Sequence, residues 1–320
     1  MSVRAALLLA AMCAAWGAHA DVYPSRPIRF VVAFPPGGGT DIIARSIAQK
    51  LAERLAQQVV VDNRPGAGGN IGTDIVAKSA PDGYTMLMGS AGPLAINASL
   101  FASMPFDPQR DLAPVTLAAS TPNVLVVHPS LKATTVKELI AVAKASPGKI
   151  NFASSGYGTP AQLAGELFNS MAGVRLVHVP YKGASPALAD LLGGQVQIMF
   201  STMPPALPHV KDGKLRALAV TSLKRSPAAP DLPTLTQAGL PGFEANTWHG
   251  VVLPAGAPAE VIGKLNREIV TILHLPDVVE RLSAQGAEPV GSTPEEFAAY
   301  IRSETAKWAK VVRESGAKAE

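Results

Sequence analysis

A glycine-rich break between two patterned runs, at residues 28–41, constrains this chain more than any other stretch. From Ile28 to Phe34 the residues are apolar or β-branched almost without interruption, which suits a strand buried on both faces. Pro35 and Pro36 end the run, and Gly37, Gly38 and Gly39 then permit backbone geometry that other residues resist. Thr40 or Asp41 is placed to cap a following helix. Ile43, Ile47, Leu51 and Leu55 recur every four residues with Arg45, Gln49, Glu53 and Gln57 opposite, which predicts an amphipathic helix over 40–57. Strand, glycine turn and helix start together aim several backbone N–H groups at one small volume, and such a volume favours an anion. Taken alone, the stretch is equally well a plain turn with no ligand.

The unit recurs. Strands are expected at 59–62 and 84–88 with a helix opening near Asn70, which argues for a parallel sheet covered by helices. The third strand runs into a second small-residue loop, Gly89-Ser90-Ala91-Gly92-Pro93. The chain then turns extended over 111–127, as if crossing between domains. A new cycle follows: a helix at 136–145, a strand at 150–153, and a third loop, Ser154-Ser155-Gly156-Tyr157-Gly158-Thr159-Pro160. Pro160 suits the first turn of a helix over 161–171. Strands at 176–179, 195–200 and 215–220 alternate with helices at 186–192 and 204–211, and a second extended crossing is expected at 218–227. A strand at 245–253 and helices at 258–273, 276–284 and 294–314 complete the chain. Two crossings give an α/β chain of two lobes, each a mostly parallel sheet: domain I from 21–122 plus 225–320, domain II from 123–224. Sites form between such lobes, where strand ends and helix starts face each other.

The chain opens with an export signal: Arg4, an apolar run over 5–16, and Ala18-His19-Ala20, predicting cleavage after Ala20 and a periplasmic location. The only cysteine, Cys13, falls inside it, so the mature chain is expected to hold no disulfide, thiolate nucleophile or Cys-based metal site. No later apolar run reaches membrane-spanning length. Without Arg4 the basic residues number 27 against 24 acidic, with no Lys/Arg cluster interleaved with aromatics, which argues against nucleic acid as a partner.

The three loops contain hydroxyls and glycines and no Lys or Arg, a composition suited to holding a carboxylate through neutral donors. Asp41 would repel a carboxylate directly beside it, so its roles are a helix cap or the holder of an ordered water. Tyr181 and Lys182 follow a strand end and offer a phenol and an ammonium; Trp248 either lines the pocket or packs between helices. Gly156-x-Gly158-x-x-Ala161 imitates a dinucleotide fingerprint but lacks its acidic partner some twenty residues on. No G-x-S-x-G elbow surrounds Ser90, Ser154 or Ser155, and His128, His178, His209, His249 and His274 show no metal-ligand spacing. No cofactor or metal is expected. A secreted hydrolase with a cleft serine, or a ligand sensor docking on a membrane kinase, stands as the alternative to a receptor.

Tyr23-Pro24-Ser25-Arg26-Pro27-Ile28, Phe34-Pro35-Pro36-Gly37-Gly38-Gly39-Thr40-Asp41, Asp62-Asn63-Arg64-Pro65-Gly66-Ala67-Gly68-Gly69, Val179-Pro180-Tyr181-Lys182-Gly183 and Leu253-Pro254-Ala255-Gly256-Ala257-Pro258 carry a resemblance over the whole mature chain. It resembles the extracytoplasmic receptors of tripartite tricarboxylate transporters, the Bug family. The resemblance implies a Venus-flytrap periplasmic binding protein that binds a small carboxylate, delivers it to membrane permease subunits and performs no catalysis. A monomer is the default for a receptor that must close and dock. Carried over, the ligand contacts are Phe34, Pro35, Gly37, Gly38, Thr40 and Asp41 from the first loop, and Ser154, Ser155, Gly156, Gly158, Thr159 and Ala161 from the third. Ser90, Ala91 and Gly92 lie nearby, and Tyr181, Lys182, Ser201 and Trp248 complete the expected set. Where many relatives read Trp-Tyr-Gly this chain has Trp248-His249-Gly250, exchanging a pocket phenol for an imidazole. Ser201-Thr202 adds neutral hydroxyls where an acid would favour an ammonium, which points to an organic acid over an amino acid.

Overall fold

The computed structural model describes residues 23–284 and 286–319; the export signal, its cleavage site and Cys13 lie outside them. The first strand, β1 (Ile28–Val32), is the centre of a parallel trio, flanked by β2 (Val59–Asn63) and β3 (Thr85–Ser90). Ile28, Phe30, Val31 and Val32 are fully buried, as an apolar run between two neighbouring strands requires. Helix α1 (Gly39–Leu55) follows directly and buries Ile43, Ile47 and Leu51, the predicted stripe. Helix α2 (Asn70–Ala77) leads into β3. Strand β3 continues through Gly89 and Ser90, and a π-helical turn begins at Gly92, so the expected second loop is strand and helix. A single helical turn, α3 (Asn97–Leu100), follows.

The extended stretch is one sixteen-residue strand, β4 (Leu112–Val127), shared by both sheets. Its first part, Leu112 to Pro122, pairs antiparallel with β9 (Asn246–Pro254); from Asn123 it pairs antiparallel with β7 (Ile198–Thr202). The second lobe repeats the parallel arrangement, with β5 (Asn151–Ser154) between β6 (Val177–Pro180) and β7. Helices α4 (Val136–Ala145), α5 (Pro160–Ala172), α6 (Ala184–Leu192) and α7 (Met203–Lys211) accompany this sheet. The expected parallel runs are present, and the strands that pass between lobes add antiparallel ladders, so each sheet is mixed.

Strand β8 (Arg216–Val220) pairs with β4 and ends there. The Pro- and Gly-rich segment 221–245 folds back instead of crossing at once: Leu235 bonds to Val220, and Ala245 donates its N–H to the Thr221 carbonyl. Leu235, Leu240 and Phe243 are buried in the core, and that burial keeps the segment on the second sheet. The return to the first sheet is β9, beginning opposite Pro122. Helices α8 (Ala259–Leu273) and α9 (Pro276–Ser283), the short β10 (Glu288–Pro289) and α10 (Pro294–Ser315) finish the first lobe. Thr293 opens α10 with a capping box to Glu296. Among the described residues no helix is long and apolar enough to cross a membrane.

Candidate functional site

Between the sheets lies a cavity of about 40 Å³, walled by both lobes. The first lobe contributes Phe34, Gly38, Gly39, Thr40, Ser90, Thr247 and His249, and the second Ser155, Thr159, Pro160, Ala161, Ala184, Met199, Phe200, Ser201 and Thr202. Asn123, where β4 changes sheets, completes the wall. No residue of this wall carries a formal charge when His249 is neutral. Four helices begin on it: α1 at Gly39, α5 at Pro160, α6 at Ala184 and α7 just after Thr202. All four present the positive end of a dipole, but prolines thin the donors: α1 and α6 offer several N–H groups, whereas α5 opens with Pro160 and α7 with Met203-Pro204-Pro205. The positive potential an anion needs is therefore built from backbone, with no Lys or Arg to desolvate.

The predicted residues divide according to which wall they join. Phe34, Gly38, Thr40, Ser90, Ser155, Thr159, Ala161 and Ser201 line this cavity. A neighbouring cavity of about 260 Å³, sharing Phe34 and Ser155, takes Gly156, Tyr181 and Lys182 with Gly66–Gly69, Phe101 and Tyr157. Lys182 is the one charged residue on either wall among those described. The Tyr181 hydroxyl donates to Asp190 at 2.7 Å, and burial together with that carboxylate pushes the phenol up to about 12. Gly37 belongs to a third hollow beside Ser185 and His209. Pro35, Ala91, Gly92, Gly158 and Trp248 line none of these three; Gly92 and Gly158 instead meet across the lobes. Trp248 points away, donating its indole N–H to Glu304, because alternation along β9 turns His249 inward instead.

Asp41 is also off the wall. Its carboxylate is buried and accepts from the Gly37 N–H at 2.9 Å, Asn63 Nδ2 at 2.9 Å and Arg45 Nε at 3.0 Å. The helix N-cap is Gly38, without a side-chain cap, so neither Thr40 nor Asp41 caps α1 in the expected way. Asp41 reaches back from the first turn and fixes the glycine loop, tying it to β2 through Asn63. Burial works to raise its pKa, but the Arg45, Gly37 and Asn63 hydrogen bonds outweigh it and hold the group below the usual 3.8. Because the folded pKa is depressed, this contribution is fully present above about pH 4 and lost as the pH falls through the lowered value. Asp41→Asn is expected to cost about 1–3 kcal/mol at pH 7. Urea denaturation at pH 7 and pH 3 checks this: the gap between the two proteins should narrow at the lower pH.

Ser154 does not reach the cavity either. It is fully buried, and its Oγ lies 2.6 Å from His178 Nε2 while accepting from the Gly156 N–H. Burial brings His178 down to about 4. The sequence spacing gave no hint of this serine–histidine pair, since strand pairing alone brings the two together. Both atoms are turned into the loop, which they brace. Thr159 Oγ1 caps α5 by accepting from the Gln162 N–H and donates to the Gly156 carbonyl. Among the described residues no group of three His, Cys, Asp or Glu is arranged to hold a metal ion.

The family model for the tripartite tricarboxylate transporter family receptor matches residues 43–317. This chain belongs to that receptor family. Protein BugT of Bordetella pertussis is 47% identical over 300 residues, 93% of this chain and 92% of that one. Among solved structures, R. palustris Rpa4515 with adipate superposes with a TM-score of 0.90 at 39% identity, covering 92% of this chain and 98% of that one. MatC from Rhodopseudomonas palustris with bound malate gives 0.87 at 32% identity, covering 91% and 100%. Asn123, Thr202, Thr247 and His249 are the polar wall residues of this receptor outside the expected contact set, His249 having entered only as the imidazole in place of a pocket phenol. Asn123 Nδ2 donates to the Ala245 carbonyl at 2.8 Å and its Oδ1 accepts from Thr247 Oγ1 at 3.0 Å, so the amide pins the two strands where they change lobes.

Proposed function

We propose that this chain is a periplasmic solute receptor that closes on a small organic carboxylate and passes it to the membrane permease of its transporter. The observation that carries the reading is the uncharged cavity wall on which four helix N-termini converge. Such a wall attracts an anion while demanding no counter-ion. Thr40, Ser155 and the N–H groups of Gly38, Gly39 and Ala161 are the contacts we assign to the carboxylate, while the Thr159 and Ser201 hydroxyls, whose protons go to the Gly156 and Thr202 carbonyls, shape the wall. Lys182, at the adjoining cavity, is assigned to the far end of longer ligands. The relatives solved with adipate and with malate are consistent with this class. The lobe boundaries we adopt lie at Pro122/Asn123 and Ala245/Asn246, supported by the exchange of strand partners at those points. The protein acts by binding without turnover, as a monomer.

About 40 Å³ admits roughly three waters when 10–15 Å³ admits one. Ligands larger than this enter only when the lobes part, so binding is coupled to a hinge motion. A thermal-shift screen of mono-, di- and tricarboxylates tests the reading. At one hundred times Kd the stabilisation should be about 2.7 kcal/mol, with esters and amides of the same acids inert. If no carboxylate raises the melting temperature, or if esters are hydrolysed, the reading is wrong.

A further inference from the structure

Two side-chain atoms on the cavity wall are fully buried and have no hydrogen-bond partner: Ser90 Oγ and His249 Nδ1. Their residues are only 3% and 1% exposed. They are directly opposite one another in the antiparallel ladder of β3 and β9, so both side chains project from one patch of the same sheet face. Several of their polar neighbours on the wall are already engaged. Asn123 uses both amide atoms, Thr159 Oγ1 caps its helix, and Ser201 Oγ donates to the Thr202 carbonyl at 3.0 Å. A buried polar atom left unpaired forfeits its hydration with nothing in return. Two of them on one stretch of this wall are placed to share a partner in the cavity.

We propose that Ser90 and His249 form a subsite for a ligand hydroxyl, making this receptor selective for hydroxy acids over their deoxy counterparts. The inference rests on the carboxylate reading above and assigns what lies beside that carboxylate. A hydroxyl both donates and accepts; serine can do either, and a neutral imidazole Nδ1 donates or accepts according to tautomer. Burial brings His249 down to about 4, so it supplies no charge at neutral pH. A second carboxylate at this patch would meet a neutral imidazole and a serine, with no Lys or Arg on the cavity wall to offset its desolvation.

The test is calorimetric titration of the mature protein with matched pairs: lactate and propionate, malate and succinate, 2-hydroxyglutarate and glutarate. The wild type should bind the hydroxy member of its preferred pair on the order of tenfold to a hundredfold more tightly. In Ser90→Ala and in His249→Phe that ratio should fall to within about threefold, while His249→Gln, which keeps a donor and an acceptor, should retain part of it. Equal affinities within a pair for the wild type, or a ratio unmoved in both Ser90→Ala and His249→Phe, would overturn the subsite and leave the carboxylate reading intact. Failure of every acid in every pair to bind would instead remove the carboxylate reading, and this inference with it.

Discussion

Replacing Gly92 with alanine is expected to weaken ligand binding on the order of a hundredfold while leaving the fold in place. A Cβ at this position would lie 2.7 Å from the Gly158 carbonyl oxygen, in the opposite lobe, and 3.4 Å from that of Gly68. The first distance is shorter than side-chain carbons tolerate, and the obstacle is backbone, which cannot rotate away. Gly92 has no left-handed φ and opens a helical turn, so alanine brings no conformational strain and a slightly better helix propensity. The clash is relieved by moving one lobe from the other. If the closed form falls to about 1% of the population, the apparent Kd rises by about the inverse of that fraction. Calorimetry measures the loss, and small-angle scattering should show the wild type contracting on ligand addition while Gly92→Ala does not. Wild-type affinity in the variant would show that Gly92 and Gly158 are not held together in the ligand-bound form.

The same logic runs along the whole seam. A Cβ on Gly39 would meet Thr202 Oγ1 at 2.9 Å, and one on Gly183 would meet the Pro35 ring at 2.5 Å. Ser185 Oγ donates to the Pro36 carbonyl at 3.0 Å, a polar tie between the lobes beside these contacts. The small residues of the three loops thus serve two purposes at once. They expose backbone N–H groups to the cavity, and they let two backbones approach to van der Waals distance when the clamp shuts.

That double purpose explains what was legible in the sequence. Strand and helix periods are local, so β1, α1, α4 and α10 could be read to within a residue or two, and the glycine loops marked the seam. The loop expected at Gly89 to Pro93 was misread because Gly89 and Ser90 look like turn residues, whereas pairing with Gly250 and His249 holds them in a strand. His249 was legible only as an imidazole in place of a pocket phenol, with Trp248 rather than His249 among the expected contacts, for a related reason. Alternation along a strand puts either Trp248 or His249 on the cavity face, but only the register with β3 decides which, and that register joins segments some 160 residues apart. The hydroxyls of Thr40 and Thr159 were found because helix starts announce themselves locally. Asp41 was equally visible, yet its partner Asn63 lies on the next strand, so its use within the loop could not be inferred.

Glu304→Ala is expected to destabilise the protein by about 3–5 kcal/mol. This carboxylate, only 6% exposed on α10, accepts from the indole N–H of Trp248 and from that of Trp308, both at 2.9 Å on Oε2, and from Lys307 Nζ at 3.2 Å on Oε1. Both tryptophans are buried, and Trp248 packs edge-on against Phe297 and Tyr300 of the same helix. Alanine leaves two buried donors without an acceptor, each costing about 1–3 kcal/mol, and opens a small void beside them. Glu304→Gln separates the causes. Its carbonyl oxygen can still accept from both indoles, so a loss of only about 1–2 kcal/mol would assign the energy to the indole hydrogen bonds. A loss matching alanine's would assign it to the negative charge and its Lys307 partner. Urea denaturation with an unchanged m-value measures both variants, and an alanine variant within about 1 kcal/mol of wild type would refute the arrangement. Because Trp248 adjoins His249 on β9, the alanine variant should also lose ligand affinity. The glutamine variant should largely keep it, since the strand stays anchored to α10.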